Sequence, residues 1–206
     1  MINQNGRVIG SVNTQQNHNG LVKNLLKLNP PPHSSVMYSR DAAIQIGGYN
    51  EKCLKSIDFN FYLDFLKYNF KSYGVQKSLL KFRFYNNSWG RSDKNNLQLK
   101  FGILGLINFY QQQNNQIGIL TNENLNWETS QKKFNDWFIK KSFNRQANAK
   151  FFLANANSNL RSLNIVLFFK NLLKAFFEDP YFFLYKGIKF SYPRDVKCFI
   201  KCLDVE

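Results

Sequence analysis

Apolar positions change their spacing along this chain, and each change predicts an element. The first piece, Arg7-Val8-Ile9-Gly10, is β-like. A polar stretch, NTQQNHNG, follows, with His18 expected as a solvated loop residue. Leu21, Val22, Leu25, Leu26 and Leu28 then recur at a helical spacing on one face. Pro30, Pro31 and Pro32 forbid a helix and deliver an extended chain to His33. Ser35-Val36-Met37-Tyr38 reads as a strand, and Arg40 to Ile46 as a short helix closed by Gly47-Gly48. Ser56 is the expected N-cap of a second helix, with Asp58 in its first turn. Phe59, Tyr62, Leu63, Leu66 and Phe70 share one face of that helix and are the expected core. Ser72 to Gln76 and Leu79 to Tyr85 read as strands, and Tyr85 to Gly90 as a loop.

Beyond about residue 97 the pattern turns helical, with joints rich in Asn and Gln. Helices are predicted over Leu97 to Tyr110, Trp127 to Leu153 and Asn159 to Phe177. The last has Leu160, Leu163, Val166, Leu167, Leu173 and Phe177 at helical spacing. The division implied is an α/β part over residues 1–90 and a helical extension over 91–206.

Composition sets limits on this picture. At 206 residues, 44% hydrophobic and 20% charged, the chain is long and apolar enough for a real core. The 21 phenylalanines and the abundant asparagines read as compositional bias of the genome. Lys and Arg number 28 against 13 Asp and Glu, a net charge of +15 that favours anionic partners. No zinc-finger spacing, aromatic RNP-like strand or dense basic cluster points to nucleic acid. Cys53, Cys198 and Cys202 are odd in number and lack metal-ligand neighbours, which suits free thiols in a reducing compartment. The N-terminus does not read as a secretory signal, and no apolar run has the length of a membrane span. A cytoplasmic chain is expected. The segment from Leu160 to Phe190 is aromatic and basic, and its helix suits the inner face of an anionic membrane.

One stretch carries a resemblance. NPPPHSSVMYSR, then GGYNEKCLKSIDFNFYLDFLKYNF, then KSLLKFRFY are in the order found in the second half of family 2 glycosyltransferases. Those are inverting sugar transferases with a GT-A fold. The resemblance covers roughly residues 1–90, the acceptor side, and it implies a partial GT-A sheet with flanking helices. The segment 91–206 resembles the variable helical extension of such enzymes. The implied activity is transfer of a sugar from a nucleotide-sugar to a hydroxyl of a glycan or lipid-linked acceptor, as in cell-surface polysaccharide synthesis. The D-x-D motif that holds a divalent Mg2+ or Mn2+ in the donor half of the family does not occur in the sequence. The expectation is therefore a truncated or split enzyme, which binds no cofactor alone and is completed by a donor-half chain. The alternative is a non-catalytic binding or scaffold protein of the same descent. A partial sheet would also expose an unpaired edge and favour aggregation.

The same resemblance suggests roles for individual residues. Asp58 matches the second acid of the family's acidic pair, the base that takes the acceptor proton. The first acid of that pair is Ile57 here. Asn29 and His33 match a loop lining the cleft, where His33 would bond a hydroxyl or a phosphate oxygen. Arg83 matches a basic strand end facing the cleft, suited to a phosphate; Trp89 and Arg91 match no motif and are candidates, from their side chains alone, to stack on or pair with substrate. Asp64 matches no motif and reads as a solvated surface acid.

Overall fold

Asn17 opens the first helix. In the computed structural model of the chain, which describes residues 1–11, 17–83, 96–121, 127–140, 143–161, 164–180, 196–197 and 199–200, its side chain accepts from the Gly20 N–H at 2.8 Å. Helix α1 therefore spans His18–Leu25, starting before its apolar stripe. His18 is not a solvated loop residue: it is helical, and its Nδ1 accepts from the Ser72 N–H at 3.3 Å. The helix ends with Leu28 at φ +57° and the Asn29 N–H bonded back to the Asn24 carbonyl at 3.0 Å. The prolines then carry the chain to His33.

Helix α2, Arg40–Gln45, follows its prediction closely. The Ser39 hydroxyl accepts from the Ala42 N–H at 3.4 Å. Gly47 and Gly48, at φ +86° and +72°, make the turn that ends it. Helix α3, Ile57–Lys67, begins after Ser56. Ser56 is left-handed at φ +52° and does not cap with its side chain; its hydroxyl donates to the Gln98 carbonyl at 2.6 Å instead.

Helix α4, Leu97–Gln113, is buried on nearly every side, which is why its apolar residues leave no clean stripe. It crosses α3 at Gly105, where the Asn60 amide fills the space a Cβ would occupy. Two buried polar residues of α4 close the following turn over the helix. Asn108 Oδ1 accepts from the Leu120 N–H at 3.0 Å, and Gln111 Oε1 from the Ile119 N–H at 2.8 Å.

The long helix predicted from Trp127 to Leu153 is two helices, α5 over Trp127–Lys140 and α6 over Phe143–Arg161. The helix predicted from Asn159 divides likewise. Asn164 accepts from the Leu167 N–H at 3.1 Å and starts α7, Ile165–Glu178. Leu160, Val166, Leu167, Leu173 and Phe177 are exposed, and the buried residue of α7 is Ala175. Leu163 lies outside the described residues. One apolar cluster joins Leu25, Phe59 and Leu63 to α4 and on to Phe134, Phe138, Phe143, Val196, Phe199 and Ile200.

The α/β GT-A sheet is not what forms. The described residues are helical and contain no sheet, only isolated bridges of Ile2 with Val8 and with Arg83. The predicted strands Ser72–Gln76 and Leu79–Tyr85 form no ladder among the described residues: Gln76 stands in a bend, the Phe82 carbonyl accepts from the Ile2 N–H at 2.9 Å, and Phe84 and Tyr85 lie outside the described residues. Strand propensity reports how well a side chain suits a pleated, half-buried surface, and no neighbouring ladder provides one here. The predicted strand Ser35–Tyr38 starts instead as a 3-10 turn, His33–Ser35. The Ser35 N–H and hydroxyl both bond the Pro32 carbonyl, at 2.9 and 2.6 Å. The aggregating sheet edge loses its basis with the sheet.

Asparagine proves to have a positional role beyond compositional bias. Asn17 and Asn164 cap helix starts; Asn69 and Asn115 take positive φ just past helix ends and Asn96 just before α4, a conformation this residue tolerates well.

Candidate functional site

The turn after the prolines, the segment after α2 and the exposed side of α3 meet around His33. Both ring nitrogens of His33 are engaged. Nδ1 is 2.8 Å from the Tyr62 hydroxyl, and Nε2 is 3.0 Å from the Tyr49 hydroxyl. The Tyr49 hydroxyl lies 2.9 Å from that of Tyr38. A continuous chain of polar atoms thus runs Tyr62, His33, Tyr49, Tyr38; His33, Tyr49 and Tyr38 are exposed and Tyr62 is half-buried.

The rings below these hydroxyls hold the arrangement in place. Phe61 is buried and stacks on Tyr49 with centroids 4.4 Å apart; Tyr38 meets it edge-on at 4.9 Å. Tyr38 also forms one wall of an open groove of about 510 Å3, lined with Arg40, Ala43, Ile44, Gly47 and Gly48.

Asp58 stands half-buried in the first turn of α3, with its Oδ1 accepting from the Phe59 N–H at 2.9 Å. Its charge reaches two of the phenols. The hydrogen bond from Tyr38, then partial burial, push the Tyr49 phenol up to about 12, and Asp58 adds to the rise. Burial raises Tyr62 as well, again with Asp58 contributing. Both phenols therefore remain neutral hydroxyls at physiological pH, able to donate and to accept.

Of the residues singled out by sequence, His33 and Asp58 come together here. Asn29 uses its backbone N–H to end α1 and leads into the prolines. The Arg83 guanidinium is engaged elsewhere, donating to the Asn3 and Gln4 carbonyls at 3.0 and 2.8 Å, so it ties the N-terminal turn. Trp89 and Arg91 lie outside the described residues. Sequence reasoning missed Tyr38 and Tyr49 and assigned Tyr62 to the core. Their signal was faint: Tyr38 lies just before α2 and Tyr49 just after its closing turn, in no shared local pattern with His33.

The gathered groups do not fit a divalent cation. Phenols and an imidazole already bonded to one another offer a poor donor set, and Asp58 is the carboxylate found beside them. Among the described residues no three His, Cys, Asp or Glu side chains assemble as a metal site.

Asp64, on the same helix, is not the solvated acid its sequence suggests. It is half-buried, and burial lifts its carboxyl to about 6 against a weaker opposing pull from Lys67. Burial raises the Cys53 thiol to about 11, and the charge of Asp64 adds to the rise. Because the folded pKa lies above the unfolded one, the protonated carboxyl favours folding. That contribution is complete below about pH 4 and is lost as pH rises through about 6. Asp64→Asn should therefore stabilise the chain by about 1–2 kcal/mol at neutral pH, after allowance for screening by water. Near pH 4 the gain should vanish. Urea denaturation at both pH values checks this; an equal gain at each would contradict it.

Comparison of the chain with models of known families, with curated proteins and with solved structures finds no match.

Proposed function

We propose that the His33 cluster binds the acceptor of a sugar-transfer reaction, and that Asp58 is the base for its hydroxyl. The observation that carries this reading is the meeting of one carboxylate, one imidazole and neutral phenols beside an open groove. Exposed aromatic rings with hydroxyl tips offer both flat apolar surface and hydrogen bonds, the two things a sugar ring needs. The motif resemblance independently assigns Asp58 to the proton. In the reaction, an acceptor O–H gives its proton to an Asp58 carboxylate oxygen while its oxygen attacks the anomeric carbon. The bond from that carbon to the nucleotide diphosphate breaks on the opposite side, inverting the centre. The nucleotide-sugar and the divalent cation implied for the family are assigned to a partner polypeptide carrying the donor half, since this sequence has no D-x-D. The product class is a glycan, as in polysaccharide synthesis.

A reducing, cytoplasmic setting suits the buried free thiol of Cys53. No helix among the described residues is long and apolar enough to cross a membrane.

A second reading has one observation in its favour. Ile57, exposed at the start of α3, takes the place of the first acid, which suits a protein that binds glycan without catalysis.

A glycan array probed with the purified chain tests the site. Oligosaccharide binding is expected, with Tyr49→Phe weakening it about five- to tenfold through one lost hydrogen bond. Asp58→Asn should leave binding within about twofold, because its role is in proton transfer. With a donor-half partner supplied, Asp58→Asn should abolish transfer; if the parent chain binds glycan yet never supports transfer, the non-catalytic reading holds. Absence of any glycan binding by the parent would remove both readings.

A further inference from the structure

Helix α7 buries one side and leaves another, equally apolar side open. Ala175 is its buried residue, and Phe168, Asn171 and Leu172 around it are half-buried on the side that meets α6. Ile165, Val166, Phe169, Leu173 and Phe177 are exposed, Val166 by 78% and Phe177 by 74%. At one residue per 100° they form a stripe roughly 120° wide, centred well away from the α6 side. Lys170 and Lys174, both exposed, lie along one flank of that stripe. Lys174 is held over the Phe152 ring, its Nζ 5.5 Å from the centroid. The helix has one acid, Glu178, and its carboxylate is turned to α6, accepting from Asn148 Nδ2 at 2.8 Å.

We propose that this stripe is the docking surface for an anionic lipid bilayer, with α7 lying in the plane of the interface. Charge favours that occupant over a second copy of the chain. The protein carries +15, so two copies repel, whereas an anionic surface attracts each of them. The helix has 14 residues. Its length is about 21 Å, so the stripe lies along one short stretch of surface. The apolar side chains of the stripe can insert into the interface, and lysines beside it reach headgroups while their stems lie on the apolar surface. This inference stands apart from the sugar-acceptor reading, because no residue of the His33 cluster takes part in it.

Flotation of the whole chain with vesicles tests it, using phosphatidylglycerol–phosphatidylcholine mixtures against pure phosphatidylcholine. Binding to the anionic vesicles is expected, falling as salt rises. The double variant Phe169→Ser, Leu173→Ser should lose more than about tenfold in partitioning, from the apolar area withdrawn. Lys170→Gln and Lys174→Gln should each lose about fivefold. These side chains are exposed, so unchanged helical circular dichroism is expected and separates loss of docking from loss of fold. No binding at low salt overturns the proposal. So does binding that the stripe variants leave intact, or a concentration-dependent dimer that the stripe variants abolish.

Discussion

Replacing Phe61 with alanine is expected to cost about 3–5 kcal/mol and to dismantle the hydroxyl array with it. Phe61 is 1% exposed and packs among the tyrosines. Its ring meets Tyr49 at 4.4 Å, Tyr38 and Phe65 at 4.9 Å, and Tyr62 at 6.3 Å. Truncation leaves a cavity bounded by rings that are themselves anchored at their hydroxyls, so collapse to fill it would break hydrogen bonds to His33. That conflict places the cost at the upper part of the range. Phe61→Leu keeps most of the volume and should cost about 1–1.5 kcal/mol. Urea denaturation measures both. A loss below about 1.5 kcal/mol for the alanine variant would show that the cluster relaxes freely and that Phe61 does not organise it. If the array is the glycan site, Phe61→Leu should also weaken glycan binding although Phe61 itself is buried.

How far the sequence could be read follows from where each signal is stored. Helix α2 was legible because its cap, Ser39, and its terminating glycines lie within the segment itself. The start of α3 was legible in position but not in chemistry. Ser56 bonds Gln98, a residue distant in the chain, and no local pattern announces such a partner. Phe61 and Asn60 were missed as core because α3 is covered on two sides. Its buried set, Phe59, Asn60, Phe61 and Leu63, follows no single face. The strands failed for the opposite reason. Apolar, β-branched and aromatic residues near Val75 and Leu79 have strand character, but a ladder needs a neighbour that the segment itself cannot specify. In α7 the helical spacing was read correctly, but spacing alone does not say which face packs on the protein, since both faces are apolar. At the site, His33 and Asp58 were carried by a motif. The tyrosines around them were joined only by folding.

Gly105→Ala is expected to destabilise the protein by about 2–4 kcal/mol, although alanine is the better helix former by about 1 kcal/mol. The added methyl would overlap the Asn60 side chain across the α3–α4 crossing. That amide is buried and donates to the Ser56 carbonyl at 2.9 Å and the Phe101 carbonyl at 3.4 Å. Moving it leaves a buried donor unpaired, a cost of about 1–3 kcal/mol in addition to the steric strain. The explanation predicts strong coupling. Asn60→Ala removes the obstructing group, so the double variant Asn60→Ala, Gly105→Ala should be more stable than the sum of the single changes by more than about 1 kcal/mol. Additive effects would place the strain elsewhere. The crossing also sets where α3 begins, and with it Asp58. A chain that absorbs the methyl by shifting α3 should therefore lose glycan binding before it loses its fold, and the comparison of the two readouts tells whether this helix contact positions the site.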